Sequence, residues 1–89
     1  MLERTFVITN RLGLHARATA KLVQLLSSYQ SNVTLAAKGR EINAKSIMGV
    51  MLLAAGKGTP VTVRIDGDDS AQAMNAVAEL FARHFDEDK

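Results

Sequence analysis

The feature that most constrains the fold of this chain is that two different apolar periodicities alternate within only 89 residues. In four segments every second residue is apolar, which is the repeat of a half-buried strand. Two longer segments have apolar residues three and four positions apart, which is the repeat of an amphipathic helix. The predicted strands are 2–9, 33–37, 41–44 and 61–66, and the predicted helices are 16–28 and 70–85.

A third, shorter helix is predicted after Ser46, which is an N-cap candidate, and we expect it to end at Gly56 in the left-handed conformation. Asp69 with Gln72 resembles a capping box at the start of the last helix. The order is therefore β-α-β-β-α-β-α. Strands with a single apolar face favour an antiparallel sheet that is covered on one side. We predict one domain over residues 1–89 with an α+β fold, an open-faced two-layer β-sandwich that has a four-stranded antiparallel sheet and three helices on one face.

Composition excludes several classes of function. The chain has no cysteine, which excludes disulfides, thiolate nucleophiles and thiolate metal sites, and its two histidines offer no convincing ligand set. We predict no metal and no cofactor. The longest apolar stretch, 47–55, is far shorter than the roughly 18–20 residues that span a bilayer. The first ten residues are too polar for a signal peptide, so we expect a cytoplasmic protein without membrane insertion.

Charge is sorted along the chain. Residues 1–45 contain seven lysines and arginines against two glutamates, a net +5, whereas residues 46–89 contain four basic and seven acidic residues, a net −3. A basic half indicates a partner that is an acidic protein, a phosphorylated group or a nucleic acid.

The most specific chemical signal is the stretch GLHAR, residues 13–17, at the junction of a loop and a helix. The first turn of a helix has unpaired N–H groups and the positive end of the dipole, so it favours an anion. Arg17 adds a planar cation suited to phosphate oxygens, and Gly13 lets the backbone bend. Because imidazole is a competent phosphoryl acceptor, His15 is a candidate phosphoryl carrier. The structural alternative is that His15 is only a poor N-cap with a solvated Arg17.

The short helix after Ser46 is apolar on every side, and one sheet layer cannot bury all of it. Val50, Leu53 and Ala54 are expected to face the core. The others are either covered by the remaining helices or form an exposed docking patch for proteins, which flexible methionines suit. The docking patch comprises Ile47, Met48 and Met51.

Ser46 and His84 have structural explanations. Ser46 suffices as an N-cap, but phosphorylation there would put nearly two negative charges beside the docking patch, so that the fold survives and docking suffers. His84 lies near the end of the last predicted helix, where a cation complements the dipole, and we expect a structural role for it.

Two motifs together resemble one family. The stretch GLHAR at 13–17 resembles the active-site signature of HPr, the histidine-containing phosphocarrier of the bacterial phosphoenolpyruvate-dependent phosphotransferase system. The stretch KSIMGVM at 45–51 resembles the regulatory serine segment of the same family, and the spacing between the two is the family's. The resemblance covers essentially the whole chain.

The resemblance implies a phosphoryl relay. His15 would accept a phosphoryl group on Nδ1 from phosphorylated Enzyme I and pass it to a histidine of IIA-type domains for sugar uptake, and Arg17 would stabilise that group. Ser46 would be the target of an ATP-dependent HPr kinase/phosphorylase. The protein would be a monomeric carrier rather than an enzyme. Its partner-facing surface would comprise Ala16, Ala20, Lys21, Lys45, Ile47, Met48 and Met51.

Three alternatives stay open. The first is a carrier of the nitrogen-related phosphotransferase system with a regulatory role. It stays open because most family members have proline after the active-site arginine, where this chain has Ala18. The second is a sheet-faced RNA-binding module, which would stack bases on aromatic side chains of its strands. Only Phe6 among the aromatic residues lies in a predicted strand, and there it alternates with the core-facing set. We therefore expect no nucleic-acid partner. The third is a purely regulatory relative acting through Ser46, but that type lacks the active histidine, which this chain has.

Overall fold

A computed structural model describes residues 1–87 of the chain, and its elements follow the predicted order. They are β1 (Leu2–Val7), α1 (Ala16–Ser27), β2 (Asn32–Ala37), β3 (Arg40–Asn43), α2 (Ile47–Leu52), β4 (Pro60–Asp66), α3 (Ser70–Ala82) and a single helical turn, His84–Asp86. The strands form one antiparallel sheet in the order β1-β4-β2-β3. The predicted α+β fold is therefore confirmed.

The core lies between one face of the sheet and the helices. Alternate residues of β2 and β4 are buried, and α1 and α3 each bury one stripe, which is how a sheet with one covered face is stabilised. The other face is polar: the hydroxyls of Thr5 and Thr62 lie 3.0 Å apart, and Arg64 pairs with Glu3 at 2.6 Å. The buried strand residues are Val33, Leu35, Ala37, Val61, Val63 and Ile65.

The first strand is shorter than predicted. It ends at Val7 instead of residue 9, although Ile8 is fully buried. The N–H of Ile8 donates to the carbonyl of Thr59 at 3.1 Å, and its carbonyl accepts from Gly58 at 2.8 Å. The side-chain alternation therefore continues past the last regular strand pair, and periodicity alone could not show where the pairing ends.

The short helix also ends early. α2 stops at Leu52, and the residue with positive φ (48°) is Ala54 rather than Gly56. Carbonyls at this end are satisfied from outside the helix, because Lys38 donates to Ala54 at 2.8 Å and Arg40 donates to Leu52 at 3.3 Å. Both donors belong to the β2–β3 hairpin, which is distant in sequence, so a glycine near the helix end could not predict these bonds. Ala54 is exposed, so the prediction that it faces the core is wrong.

The last helix differs from the prediction at both ends. Asp69 precedes Ser70 but makes no capping bond; its carboxylate accepts instead from the backbone N–H of Gln30 (2.8 Å) and of Ser31 (3.0 Å) and from the Ser31 hydroxyl. The helix ends at Ala82, three residues before the predicted end, because the chain enters the left-handed turn 84–86, with φ between 55° and 59°. The turn buries the Phe85 ring.

Candidate functional site

His15 is the N-cap of α1. Its backbone is extended (φ −77°, ψ −179°), and its Nδ1 accepts a hydrogen bond from the backbone N–H of Arg17 at 3.3 Å. An imidazole thus occupies the position that serine or aspartate usually takes. With 28% of its side chain exposed, the ring is accessible, and its Nδ1 faces the positive end of the helix.

The second ring nitrogen of His15 is held by Glu87, a residue that sequence reasoning missed. Nε2 lies 2.9 Å from Oε1 and 2.7 Å from Oε2 of the carboxylate. Because a carboxylate at its usual charge only accepts hydrogen bonds, Nε2 is the donor. Glu87 lies 72 positions away along the chain and beyond the periodic part of the last helix, so no motif or spacing connected the two. Phe85 was the only apolar residue near Glu87 in the sequence, and it predicted a longer helix rather than a turn towards His15.

Asn10 holds the Glu87 carboxylate in place. This side chain is fully buried, and its amide nitrogen donates to the Gly13 carbonyl at 2.8 Å and to Glu87 Oε1 at 3.0 Å. The hydrogen bond from His15, with a smaller contribution from Asn10 and the positive charge of Arg17, holds the pKa of the Glu87 carboxyl below its usual value. Glu87 is therefore ionised at neutral pH.

Gly13 fixes the loop that carries the histidine. Its φ is +66°, and a Cβ at this position would lie 2.5 Å from the carbonyl oxygen of Ala55. The next residue, Leu14, donates its N–H to that same oxygen at 2.8 Å. Only glycine allows this close approach of two backbones without strain. The predicted bend at Gly13 thus also serves as a packing contact with the segment that follows α2.

Arg17 lies on the exposed start of α1 and shares a shallow cleft with His15 and Glu87. Arg11 lines the same cleft. Within residues 1–87 neither guanidinium pairs with a carboxylate, so both are available for an incoming anion. The cleft brings together a partly exposed imidazole and two permanent cations. The complete lining is Arg11, Leu12, His15, Arg17, Asp86 and Glu87.

Ser46 caps α2, as the sequence predicted. Its hydroxyl oxygen accepts a hydrogen bond from the backbone N–H of Gly49 at 3.1 Å, and Val50 is buried behind it. The docking patch is exposed, with relative accessibilities of 49% for Ile47, 76% for Met48 and 43% for Met51. Near the patch and the cleft, the sequence did not single out Leu52, on the same helix, or Leu12, in the cleft, each of which is 62% exposed.

The remaining predicted partner residues have mixed surroundings. Ala16 is exposed and Ala20 half-buried on the first two turns of α1. Lys21 pairs with Asp86 at 3.2 Å, and Lys45 donates to the carbonyl of Tyr29 at 2.6 Å, so both ammonium groups have partners within the chain. Ala16 and Ala20 lie on the half of α1 that His15 caps, whereas Lys45 is hydrogen-bonded to Tyr29, just past the other end of the helix.

His84 does not lie at the end of a regular helix, where the dipole argument put it. It begins the left-handed turn, and its Nδ1 lies 2.5 Å from the hydroxyl of Thr9. Among residues 1–87 no three histidine, cysteine or acidic side chains are grouped as a metal site. In the same part of the chain, no helix has the length and apolar character needed to cross a membrane.

Fold and site together define a class: small α+β proteins that present a partly exposed histidine at the start of a helix. The chain matches the family model described as PTS HPr component phosphorylation site over residues 2–83. It is 66% identical over 88 residues to the phosphocarrier protein HPr of Xylella fastidiosa, with 99% of each chain covered. It is 53% identical over 87 residues to that of Cupriavidus necator, with 98% of each covered.

A solved structure agrees with these relatives. The chain superimposes on the crystal structure of HPr-C-His from Thermoanaerobacter tengcongensis with a TM-score of 0.96 and 38% identity, and the match covers 100% of both chains. The chain therefore belongs to the HPr family, the phosphocarrier proteins of the phosphotransferase system.

Proposed function

We propose that His15 is the residue that carries the phosphoryl group, and that Nδ1 is the nitrogen that bonds to phosphorus. The observation that supports this most directly is the orientation of the ring, since Nδ1 faces the N–H of Arg17 at the helix N-terminus while Nε2 is occupied by Glu87. A phosphoryl group on Nδ1 would meet backbone donors and the positive end of the dipole.

The donor in this proposal is phosphorylated Enzyme I, and the acceptor is a histidine of a IIA-type domain. The lone pair of His15 Nδ1 attacks phosphorus, the bond from phosphorus to the donor nitrogen breaks, and its electron pair returns to that nitrogen. The second transfer repeats these steps with His15 as the donor. Arg17 and the helix N-terminus stabilise the charge on the equatorial oxygens, which is most of what a loose phosphoryl transition state needs.

Partners would dock on the exposed apolar surface next to His15. Met48 is the most exposed residue of the docking patch, and flexible thioethers adapt to different partner surfaces. α1 and α2 are in contact, and Leu14, just before α1, is hydrogen-bonded to Ala55, just after α2. A small patch with a polar rim suits the brief encounters of a relay. In this proposal the partner-facing set comprises Ala16, Ala20, Lys21, Lys45, Ile47, Met48 and Met51.

Ser46 is proposed as a regulatory phosphorylation site for an HPr kinase/phosphorylase. A phosphate on this hydroxyl would stay at the start of α2, where the Gly49 N–H already points at the oxygen, so the helix would tolerate it. The added charge would lie beside Ile47 and Met48 and would weaken the docking of a partner that covers them.

The sugar-uptake branch is the function we favour. The alternative, a carrier of the nitrogen-related system, rests on Ala18, which is fully buried on the core side of α1 and does not line the cleft. We further propose that the protein acts in the cytoplasm as a monomer, because one chain supplies both the cleft and the docking patch. It would carry the phosphoryl group without catalysing a reaction of its own.

Labelled phosphoenolpyruvate with Enzyme I tests the proposal. We expect one acid-labile, base-stable phosphoryl group on the wild-type protein and none on His15→Ala. The matched control is His84→Asn, which removes the other imidazole at a left-handed position that asparagine tolerates, and it should label fully. Label that persists in His15→Ala, or a wild-type protein that takes none, would contradict the proposal.

A further inference from the structure

The segment that carries Glu87 adopts an unusual backbone. His84, Phe85 and Asp86 are three consecutive non-glycine residues with positive φ, a conformation that L side chains disfavour. The Phe85 ring anchors the turn, since it is almost completely buried and packs edge-on against Phe81 with ring centres 4.8 Å apart. Strained backbone that the surrounding packing maintains is frequent at functional sites.

The turn directs the Glu87 carboxylate onto the imidazole of His15. Only 13% of the glutamate side chain is exposed, so water competes weakly for its oxygens. Asn10 contacts it through the amide nitrogen, and the reverse amide orientation would set an oxygen against two other acceptors, the Gly13 carbonyl and the carboxylate. The position of the carboxylate is thus fixed from both sides.

These contacts select one tautomer of the neutral ring. Neutral imidazole has one N–H and one lone pair, and the carboxylate accepts the N–H at Nε2. The lone pair is therefore on Nδ1, where the N–H of Arg17 donates to it. In many histidine sites a carboxylate orients the ring in this way through the nitrogen that does not react.

We infer that Glu87 is a positioning residue for phosphoryl transfer: its carboxylate, held by Asn10, keeps the proton of His15 on Nε2 and leaves the Nδ1 lone pair free for phosphorus. This inference rests on the proposed function of His15 and extends it. Glu87 contacts the ring at Nε2, the nitrogen that does not bond to phosphorus in the proposed function.

The same carboxylate also acts on the phosphorylated state. When the Nδ1 lone pair forms the bond to phosphorus, the ring becomes an imidazolium with its proton still on Nε2, and no proton leaves. The negative charge of Glu87 balances the new positive charge at a hydrogen-bonded distance. When the next histidine attacks phosphorus, the P–N bond breaks, its electron pair returns to Nδ1, and the ring is neutral with the Nε2 proton in place.

The experiment compares three variants with the wild-type protein. Glu87→Ala removes the acceptor, Glu87→Gln keeps an acceptor oxygen without the charge, and Glu79→Ala is the matched control. Glu79 is an exposed carboxylate on α3 that lies outside the cleft, and its side chain forms no hydrogen bond or ion pair within residues 1–87. Nitrogen NMR of the His15 ring gives the tautomer without any partner, and phosphorylation by Enzyme I gives the rate.

We expect the Nε2–H tautomer to predominate in the wild type, in Glu79→Ala and in Glu87→Gln, and a mixture of tautomers in Glu87→Ala. Phosphorylation of Glu87→Ala should be roughly tenfold slower, the low end of what loss of an orienting partner causes. Glu87→Gln should recover the tautomer but only part of the rate, a separation that a purely structural role would not produce.

Three results would overturn the inference: an unchanged tautomer in Glu87→Ala, a changed tautomer with an unchanged rate, or an equal loss of rate in Glu79→Ala. Failure of the proposed function would look different. In that case the wild-type protein itself would take no phosphoryl group, while the NMR measurement on the unphosphorylated variants would still decide whether Glu87 sets the tautomer.

Discussion

The backbone N–H of Leu14 donates to the carbonyl oxygen of Ala55 at 2.8 Å, so the loop that carries His15 is hydrogen-bonded to the segment that follows α2. Gly13 packs against the same oxygen and against Gly56. The docking patch is on α2, and the histidine is on the loop. This contact therefore sets the distance between the two parts of the proposed phosphoryl-transfer surface.

Gly13→Ala tests this contact. The new Cβ would clash with the Ala55 carbonyl and force a positive φ on alanine, so we expect the free energy of unfolding to fall by about 2–4 kcal/mol. Urea unfolding measures this. Gly39→Ala is the control, because Gly39 also has positive φ (+78°) but open space around it, and it should lose only about 1–2 kcal/mol. Equal losses would show that the close approach at Gly13 contributes nothing.

The Asp69 carboxylate makes stability depend on pH. Hydrogen bonds from the Ser31 hydroxyl, then from the backbone N–H groups of Gln30 and Ser31, lower the pKa of this carboxyl in the folded protein. A lowered folded pKa means that the stabilisation is fully present above the unfolded pKa, about 3.9, and is lost as pH falls through the folded value. The melting temperature of the wild type should therefore be higher than that of Asp69→Asn at pH 7. This difference in melting temperature should become smaller at acidic pH.

Thermal melts between neutral and acidic pH check this dependence. The adjacent Asp68→Asn is the control, because the Asp68 side chain is exposed and forms no hydrogen bond within residues 1–87. It should show no comparable margin. A constant margin between wild type and Asp69→Asn across the whole range would contradict the prediction.

Met48 is expected to matter for binding but not for folding. Because 76% of Met48 is exposed, the substitution Met48→Ser should change the free energy of unfolding by less than about 0.5 kcal/mol. The variant should bind Enzyme I more weakly, by about 1–2 kcal/mol of binding free energy, because it buries less apolar area in the complex. Calorimetry measures the affinity. The control is Val7→Thr, which changes an exposed apolar residue on the edge strand β1, away from the docking patch on α2. Equal effects of the two substitutions would argue against docking at α2.

Ser46→Asp is expected to separate folding from docking in a second way. Aspartate is as good an N-cap as serine, so α2 should persist and the melting temperature should change little. The charge beside the docking patch should weaken Enzyme I binding by about 1–3 kcal/mol. Ser46→Asn is the neutral control, with the same capping ability. If Ser46→Asp binds Enzyme I as tightly as wild type does, negative charge at this position does not regulate docking.

The sequence was a good guide where function depends on local structure. His15 and Ser46 both cap helices, and their hydrogen bonds to Arg17 and Gly49 span only two and three residues. The exposure of Met48 was also predictable, because a short helix that is apolar on all sides cannot be buried by one sheet layer. The alternating strands defined the covered face of the sheet for the same local reason.

Contacts between distant segments could not be predicted. Glu87 reaches His15 only because the chain turns left-handed at Phe85, and that turn depends on burial of a ring against α3. A helical repeat continued to residue 85 in the sequence, and tertiary packing overrode it. Asp69 likewise bonds the connection between α1 and β2 rather than its own helix, which a capping pattern cannot reveal.

The most direct test of the account is to identify the atom to which phosphorus is bonded. The protein is phosphorylated with phosphoenolpyruvate and Enzyme I, and phosphorus–nitrogen coupling is measured by NMR with the His15 ring labelled. The account predicts a single phosphoryl group on Nδ1, with the proton retained on Nε2. Phosphorus on Nε2, on another residue, or nowhere on the protein would contradict it.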